Sequence, residues 1–186
     1  MLELLKKTLL EAPVVKKGDY YYVVHPITDG VPYIEKDLLD DVTDAMKKEI
    51  DKLGDVDRIV TIEAMGIPLA SVLSMKTGLP FTIIRKRQYG LPGEVSVEQV
   101  TGYSKSKLYI NGLKKDDKIV IVDDVLSTGG TLKAVLSALK EMEVNVKKVI
   151  IAVDKGKNAK QIGKVFSVPI KSLVEIDVIN GKVVIQ

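Results

Sequence analysis

The sequence predicts an α/β fold built on a doubly wound, mainly parallel sheet. Short runs of branched apolar residues alternate along the chain with segments whose apolar residues recur every three or four positions, the pattern of strands alternating with amphipathic helices. The chain has 186 residues, 46% of them hydrophobic and only 5% aromatic, so one compact domain with an aliphatic core is expected over residues 1–186.

The amino-terminal part is expected to form a helix, a strand and a second helix. Leucines at helical spacing predict a helix over residues 2–12, which Pro13 ends. Residues 20–24 are rich in tyrosine and valine and predict a strand, and residues 28–32 predict a loop. Residues 35–53 predict an amphipathic helix because their apolar positions again recur at three and four.

Strands and helices then alternate through the rest of the chain. The predicted strands are residues 58–62, 81–84, 108–110, 119–122 and 146–153, and the predicted helices are residues 68–76 and 131–142. Residues 86–103, with three glycines and Pro92, predict a long irregular segment, functional or mobile. Residues 172–178 and 182–185 predict two strands that either finish the sheet or form a hairpin at its edge.

Polar segments follow four of the predicted strands. They are Glu63-Ala64-Met65-Gly66, Arg85-Lys86-Arg87, residues 123–131 and residues 154–157. In open parallel sheets, ligands bind outside the carboxyl ends of the strands. The four segments are therefore expected to line one rim of the sheet.

The most informative stretch is Ile-Val-Ile-Val-Asp-Asp-Val-Leu-Ser-Thr-Gly-Gly-Thr, residues 119–131. A buried strand ends in two carboxylates, expected to be exposed, and a loop rich in glycine and hydroxyl groups then opens a helix. Unpaired N–H groups and the dipole at a helix N-terminus favour a phosphate. Asp123 and Asp124 can accept hydrogen bonds from sugar hydroxyls and stabilise positive charge at a sugar carbon.

This stretch resembles the phosphoribosyl pyrophosphate (PRPP) motif of type I phosphoribosyltransferases. The resemblance implies transfer of ribose 5-phosphate from PRPP, with Mg²⁺ held through PRPP oxygens and Asp123 or Asp124 as candidate ligands. It makes those two aspartates the catalytic residues. It assigns PRPP binding to Asp123, Asp124, Val125, Leu126, Ser127, Thr128, Gly129, Gly130 and Thr131.

The resemblance covers about residues 22–157 and is greatest to archaeal purine phosphoribosyltransferases assigned hypoxanthine/guanine activity. It implies a small hood and a mobile loop, residues 86–103, that closes over PRPP. The base is placed beneath residues 22–27. The residues that it assigns are Glu63, Ala64, Met65, Gly66, Arg85, Lys86 and Arg87 for pyrophosphate, Tyr103 for the closing loop, and Val24 and His25 for the base.

The acceptor base stays open between two purine types. Enzymes for six-oxopurines commonly carry an Asp at the Ser127 position and a Lys at the Gly130 position, so these residues are more similar to adenine enzymes. Adenine enzymes, however, carry a Glu before the tyrosine of the closing loop, where this chain has Gly102. Hypoxanthine/guanine activity is favoured by the overall resemblance, adenine is the alternative, and a pyrimidine base is disfavoured by the closing-loop sequence.

A binding function without catalysis is a further alternative, because some bacterial purine repressors use the same motif to sense PRPP and add a winged-helix domain. The segment before residue 20 is too short for such a domain, and a net charge of +3 from 28 basic and 25 acidic residues predicts no nucleic-acid partner. The implied assembly is instead a homodimer in which a basic loop reaches the neighbouring site.

Composition and missing motifs exclude several other classes. There is no cysteine, no Walker A string and no Gly-x-Gly-x-x-Gly fingerprint, which argues against thiol, nucleotide-hydrolysis and dinucleotide chemistry. The single histidine, His25, has no serine-hydrolase elbow beside it, so its side chain is expected to do no chemistry. With neither a signal peptide nor an apolar span, the expected location is the cytoplasm.

Overall fold

The computed structural model describes residues 2–18, 20–101 and 104–186. The elements of the first half are α1 (Glu3–Leu10), β1 (Val14–Lys17), β2 (Tyr20–Val23), α2 (Pro26–Asp29), α3 (Lys36–Ile50), β3 (Arg58–Ile62), α4 (Gly66–Thr77) and β4 (Phe81–Ile84). The elements of the second half are β5 (Val95–Thr101), β6 (Ser104–Ile110), β7 (Lys118–Leu126), α5 (Gly130–Glu141), β8 (Asn145–Asp154), α6 (Ala159–Phe166), β9 (Ile170–Ile179) and β10 (Lys182–Ile185).

The predicted sheet is confirmed. Within the described residues it has six strands in the order β10-β9-β8-β7-β3-β4. Neighbouring strands run parallel from β9 to β4, and β10 adds an antiparallel edge strand. The two strands predicted in the tail therefore combine both expected arrangements. Strand β9 continues the sheet, and β9 and β10 form a hairpin at its edge.

Helices cover both faces of the sheet, and β7 divides the interior into two cores. Val120 and Val122 pack on the side of α1, α3 and α4, whereas Ile119 and Ile121 pack on the side of α5, α6 and the β5–β6 hairpin. All four side chains are fully buried. A strand buried on both faces needs an unbroken apolar run, which is the pattern of residues 119–122.

Two hairpins lie outside this sheet, and the sequence prediction was wrong for part of each. Residues 14–17, for which no strand was predicted, form β1 and pair with β2. The segment expected to be irregular contains β5, which pairs antiparallel with β6. Apolar and polar residues alternate in Val-Ser-Val-Glu, residues 95–98, and Val97 is buried in the core. This strand pattern was not recognised because glycines and Pro92 precede it.

Two short helices also departed from expectation. Asp29, expected in a loop, ends the four-residue helix α2, which Pro26 begins. Helix α6 was not predicted, because it contains Gly163 and only a few apolar residues. Its Ile162 is nevertheless fully buried against the second core. No helix in the described part of the chain is long and apolar enough to cross a membrane.

His25 is buried at the start of α2 and holds two helices together. Its Nδ1 accepts a hydrogen bond from the Ile27 N–H at 3.2 Å, and its Nε2 lies 2.9 Å from Thr8 Oγ1 on α1. Its own N–H donates to Asp29 Oδ2 at 2.9 Å. The side chain is 1% exposed. Burial lowers the pKa of His25 to about 4, although the Asp29 carboxylate acts in the opposite direction.

Replacing the buried Ile121 by alanine is expected to lower the free energy of unfolding by about 2–5 kcal/mol, because it leaves a cavity beside the central strand. The matched control is Ile179→Ala at the end of β9, where the side chain is 51% exposed. It should cost about 1 kcal/mol or less. Urea unfolding of both variants measures the difference, and equal losses would contradict this account of the core.

Because His25 stays neutral in the folded protein down to a pKa of about 4, and the unfolded chain protonates near 6.5, its contribution to stability is lost as the pH falls through that window. The loss at acid pH should be at most about 3 kcal/mol. His25→Asn keeps a side chain that can cap α2 without this titration. Denaturant unfolding between pH 7 and pH 4 should therefore show a steeper decline for the natural protein, and parallel declines would contradict the assignment.

Candidate active site

The strand that carries the two aspartates separates from one of its neighbours just before them. Pairing of β7 with β3 ends at Val60 and Ile121, whereas pairing with β8 continues to Leu126. The carboxyl ends of β3 and β7 are therefore unpaired with each other, and Gly66, in the loop after β3, comes close to Asp123. Asp123 and Asp124 lie on β7 beyond the last residue paired with β3, at the carboxyl rim where the sequence predicted a ligand.

The two carboxylates are less accessible than expected. Asp124 is only 7% exposed and Asp123 is half-buried, so the expectation of two exposed carboxylates was wrong. The reason is that β7 is a central strand and α2 packs across its end. The Asp124 N–H donates to Asp123 Oδ1 at 3.1 Å, which fixes that side chain.

Burial raises the pKa of both carboxyl groups, and the charge on Asp123 raises that of Asp124 further. Two adjacent buried negative charges are unfavourable, so the pair retains a proton more readily than isolated aspartates do. A positive charge placed beside them reverses this preference. The arrangement is therefore suited to stabilising a cation or a cationic transition state.

The loop after β7 forms a concave cradle. It bounds a cavity of about 260 Å³, and the lining residues are Asp123, Val125, Leu126, Ser127, Thr128, Gly129, Gly130, Thr131, Leu132 and Ile151. Gly129 has a φ of 77°, and a Cβ added there would lie 2.4 Å from Ile162 Cδ1, so only glycine fits. Of the predicted PRPP-binding residues 123–131, all but Asp124 line this cavity, which lies at the start of the twelve-residue helix α5.

The predicted pyrophosphate loop, Glu63 to Gly66, connects β3 with α4 and lies against the carboxylate pair. A Cβ added to Gly66 would lie 2.0 Å from Thr61 Oγ1 and 2.8 Å from Asp123 Oδ1. A side chain at this position would therefore displace Asp123. The peptide bond between Glu63 and Ala64 is cis.

Arg85, at the end of β4, is held by the neighbouring loop. Its Nε donates to Glu63 Oε2 at 2.6 Å, and the Lys86 N–H donates to the same oxygen at 3.1 Å. The Arg85 guanidinium lowers the pKa of Glu63, with the Lys86 N–H second in effect. The Arg87 guanidinium lies 5.6 Å from the ring centre of Tyr89, within its own segment.

The residues expected to bind the base, Val24 and His25, already use backbone groups in hydrogen bonds within the protein. The N–H of His25 is bonded to Asp29 and its carbonyl accepts from the N–H groups of Thr28 and Asp29, so these groups are used in forming α2. The Val24 N–H donates to the carbonyl of Pro13 at 3.0 Å. Tyr103 lies outside the described residues.

Three residues outside the loop 127–131 hold it in place, and sequence reasoning missed two of them, Tyr20 and Asn158. The Asn158 side chain donates to the carbonyl of Ser127 at 2.5 Å, and the Lys155 N–H donates to that of Leu126 at 2.7 Å. Tyr20 Oη lies 3.0 Å from Ser127 Oγ. The strand-end rule pointed to residues 154–157, but no pattern in the sequence could connect Tyr20 with a residue 107 positions later.

Known proteins match both the sequence and the fold. The phosphoribosyl transferase domain family matches residues 33–183. Hypoxanthine/guanine phosphoribosyltransferase of Methanothermus fervidus is 54% identical over 183 residues, covering 98% of this chain and 96% of that protein. The protein of the same description from Methanobacterium paludis is also 54% identical, covering 100% of this chain and 97% of the relative.

Solved structures of adenine phosphoribosyltransferases share the fold at low sequence identity. The Saccharomyces cerevisiae enzyme has a TM-score of 0.74 at 18% identity, with 93% of this chain and 99% of that one covered. The Thermoanaerobacter pseudethanolicus enzyme has a TM-score of 0.72 at 22% identity, with 94% and 99% covered. From the family match over residues 33–183 and the identity to relatives along nearly its whole length, the chain belongs to the phosphoribosyltransferase family.

Proposed function

We propose that the protein is a purine salvage phosphoribosyltransferase. It transfers ribose 5-phosphate from PRPP to hypoxanthine or guanine, giving IMP or GMP and releasing pyrophosphate. The observation that carries this proposal is the carboxylate pair at the end of β7, with Asp123 lining the 260 Å³ cradle and Asp124 buried beside it. The choice of base rests on relatives that are 50–54% identical and are described as hypoxanthine/guanine enzymes.

The phosphate of PRPP binds in the cradle formed by residues 127–131, where the N–H groups that begin α5 and the loop hydroxyls donate to its oxygens. Asp123 and Asp124 then face the ribose. They accept hydrogen bonds from its hydroxyls and stabilise the positive charge that develops at the sugar carbon as pyrophosphate leaves. Their preference for a nearby cation follows from their burial and mutual repulsion.

Pyrophosphate leaves on the side of β3 and β4. Residues 63–66 offer backbone groups, and Arg85 offers a guanidinium that binds phosphate in a bidentate manner. Because a carboxylate repels pyrophosphate, we assign Glu63 the task of orienting Arg85, through the 2.6 Å bond between them. Lys86 and Arg87 supply further positive charge.

The base approaches the sugar carbon from the face opposite to the departing pyrophosphate, as in other inverting substitutions at this carbon. Since β3 and β4 lie on one side of β7, the opposite side is that of β8. The β1–β2 hairpin is near it, because Tyr20 contacts Ser127 and the Tyr21 carbonyl accepts from Lys155. This reasoning supports a base site beneath residues 22–27. The Val24 carbonyl is a candidate acceptor there, because the N–H of Val24 is bonded to Pro13.

Mg²⁺ dependence belongs to the proposal. Within the described residues no group of three or more His, Cys, Asp or Glu side chains could hold a metal ion. Asp123 and Asp124 provide hard oxygen donors, which fits an ion that takes its remaining ligands from water and substrate oxygens. Bound with PRPP, Mg²⁺ would supply charge that neutralises the pyrophosphate.

Three further features complete the proposal: a homodimer, a cytoplasmic location and closure of residues 88–103 over PRPP. Closure would exclude water, which competes with the base for the activated sugar.

Two alternatives accompany this proposal. The alternative that the acceptor is adenine rests on Ser127 and Gly130. The likeness to the two solved adenine phosphoribosyltransferases, both below 25% identity, concerns the fold alone. A non-catalytic PRPP sensor is the alternative of another class.

Incubation with PRPP and Mg²⁺ and each of adenine, hypoxanthine, guanine, xanthine, uracil and orotate is expected to yield IMP and GMP as the main nucleotides. Chromatographic identification of the products measures the selectivity. AMP as the dominant product would replace the base assignment by the adenine alternative. Absence of every nucleotide, with PRPP still bound by calorimetry, would establish the sensor alternative.

Asp123→Asn combined with Asp124→Asn is expected to lower kcat by at least about tenfold, because the charge that stabilises the transition state is removed. The control is Asp37→Asn in the first turn of α3 combined with Asp51→Asn directly after this helix, whose side chains are 87% and 52% exposed. It should retain full activity. Unchanged kcat in the folded active-site variant, checked by thermal unfolding, would refute the role given to the pair.

A further inference from the structure

A hydroxyl pair joins the amino-terminal hairpin to the phosphate cradle. Tyr20 is the first residue of β2, and its Oη lies 3.0 Å from the Oγ of Ser127. Ser127 lines the 260 Å³ cradle, whereas Tyr20 lines a separate cavity of about 320 Å³ together with Lys155 and Gly156. The Tyr20–Ser127 contact therefore forms part of the wall between two cavities.

The tyrosine ring is fixed from two directions. Lys155 Nζ lies 4.2 Å from the centre of the Tyr20 ring, and the Tyr22 ring packs edge-on against it at 4.6 Å between ring centres. Lys155 Nζ also donates to the carbonyl of Tyr21. Because the Lys155 N–H is bonded to the carbonyl of Leu126, this lysine holds both the hairpin and the start of the phosphate loop.

The chemistry of the two hydroxyls determines how they act once an anion enters. A serine hydroxyl has one proton to donate, and it can still accept through its lone pairs. With a phosphate in the cradle, Ser127 donates to the phosphate, and Tyr20 donates to Ser127 Oγ. Two such bonds in series polarise and strengthen each other.

The surroundings make Tyr20 a good donor. Burial raises the pKa of its phenol, but the hydrogen bond with Ser127 and the hydrogen bond and charge of Lys155 together lower it below its ordinary value. A more acidic hydroxyl donates a stronger hydrogen bond. Lys155 carries donors only, so next to it the Tyr20 oxygen acts as the acceptor and the Tyr20 proton is available to Ser127 Oγ.

We propose that Tyr20 is a positioning residue for phosphate binding, whose hydroxyl fixes Ser127 Oγ so that the serine proton points at the phosphate of PRPP. The same bond fastens the β1–β2 hairpin to the occupied cradle. The inference rests on the proposed function only for the identity of the sugar phosphate. It adds to the site a residue from the hairpin that neither the sequence motif nor the strand-end rule contains.

Calorimetry with two fragments of PRPP separates this role from general packing. Tyr20→Phe keeps the ring and is expected to weaken binding of ribose 5-phosphate about two- to tenfold, the worth of one net hydrogen bond, and to leave inorganic pyrophosphate unchanged. Tyr21→Phe is the matched control, since it removes a hydroxyl from the neighbouring residue and keeps a ring that lies 5.7 Å from Lys16 Nζ. It should bind both fragments as the natural protein does.

A double-mutant cycle tests whether Tyr20 acts through Ser127. In a Ser127→Ala background, Tyr20→Phe should have no further effect on ribose 5-phosphate affinity. In kinetics, Tyr20→Phe should raise the KM for PRPP by a similar factor and leave kcat within about twofold. Independent, additive effects of the two substitutions would overturn the inference.

Further results of the calorimetry also test whether Tyr20 positions Ser127 for phosphate binding. Unchanged ribose 5-phosphate affinity in Tyr20→Phe would overturn the inference. Equal weakening of ribose 5-phosphate binding and pyrophosphate binding would also overturn it, because Tyr20 would then act only through packing. Failure of the natural protein to bind ribose 5-phosphate would also overturn the inference. If the natural protein binds this fragment but converts no base, the proposed function fails while the affinity test of Tyr20 still stands.

Discussion

The active site depends on the way β7 leaves one neighbour and keeps the other. Its ladder with β3 stops at Ile121, while its ladder with β8 runs on to Leu126. Asp123 and Asp124 are thereby held by the pairing of β7 with β8 on one side, while the other side is free of strand pairing and is approached by Gly66. Carboxylates on a flexible loop would be solvated and mobile, whereas here burial raises the pKa of both and readies them to respond to positive charge.

Close packing around the carboxylates and the cradle explains why glycine is needed at two positions. Gly66 brings the backbone of the pyrophosphate loop so close to Asp123 that a Cβ would lie 2.8 Å from its Oδ1. Gly129 combines a φ of 77° with contact to Ile162 of α6. Each glycine allows one loop to approach a neighbouring element, so the cradle, the carboxylates and the pyrophosphate loop are positioned by packing as well as by hydrogen bonds.

The sequence predicted the sheet and the polar segments at the carboxyl ends of its strands because both follow from local patterns. Residues 58–62 and 81–84 were assigned to strands with the observed bounds, since short buried strands have a clear apolar signature. Strand β1 and helix α6 were missed because lysines dilute the first and a glycine interrupts the second. The burial of Asp124 and the contact of Tyr20 with Ser127 depend on packing between distant segments, which no local pattern records.

The same distinction explains why the donor was easier to infer than the acceptor. In the proposed function, phosphate and ribose contact consecutive residues of one strand, loop and helix, so a contiguous motif describes them. The base is proposed to approach from the side opposite pyrophosphate, where the β1–β2 hairpin and the turn after β8 meet only in the folded chain. Ser127 is paired with Tyr20 of that hairpin, so the surroundings of the proposed base site include residues that no contiguous motif contains. In the proposed function, selectivity would depend on how the hairpin and the turn at Lys155 are placed as well as on the identity of Ser127.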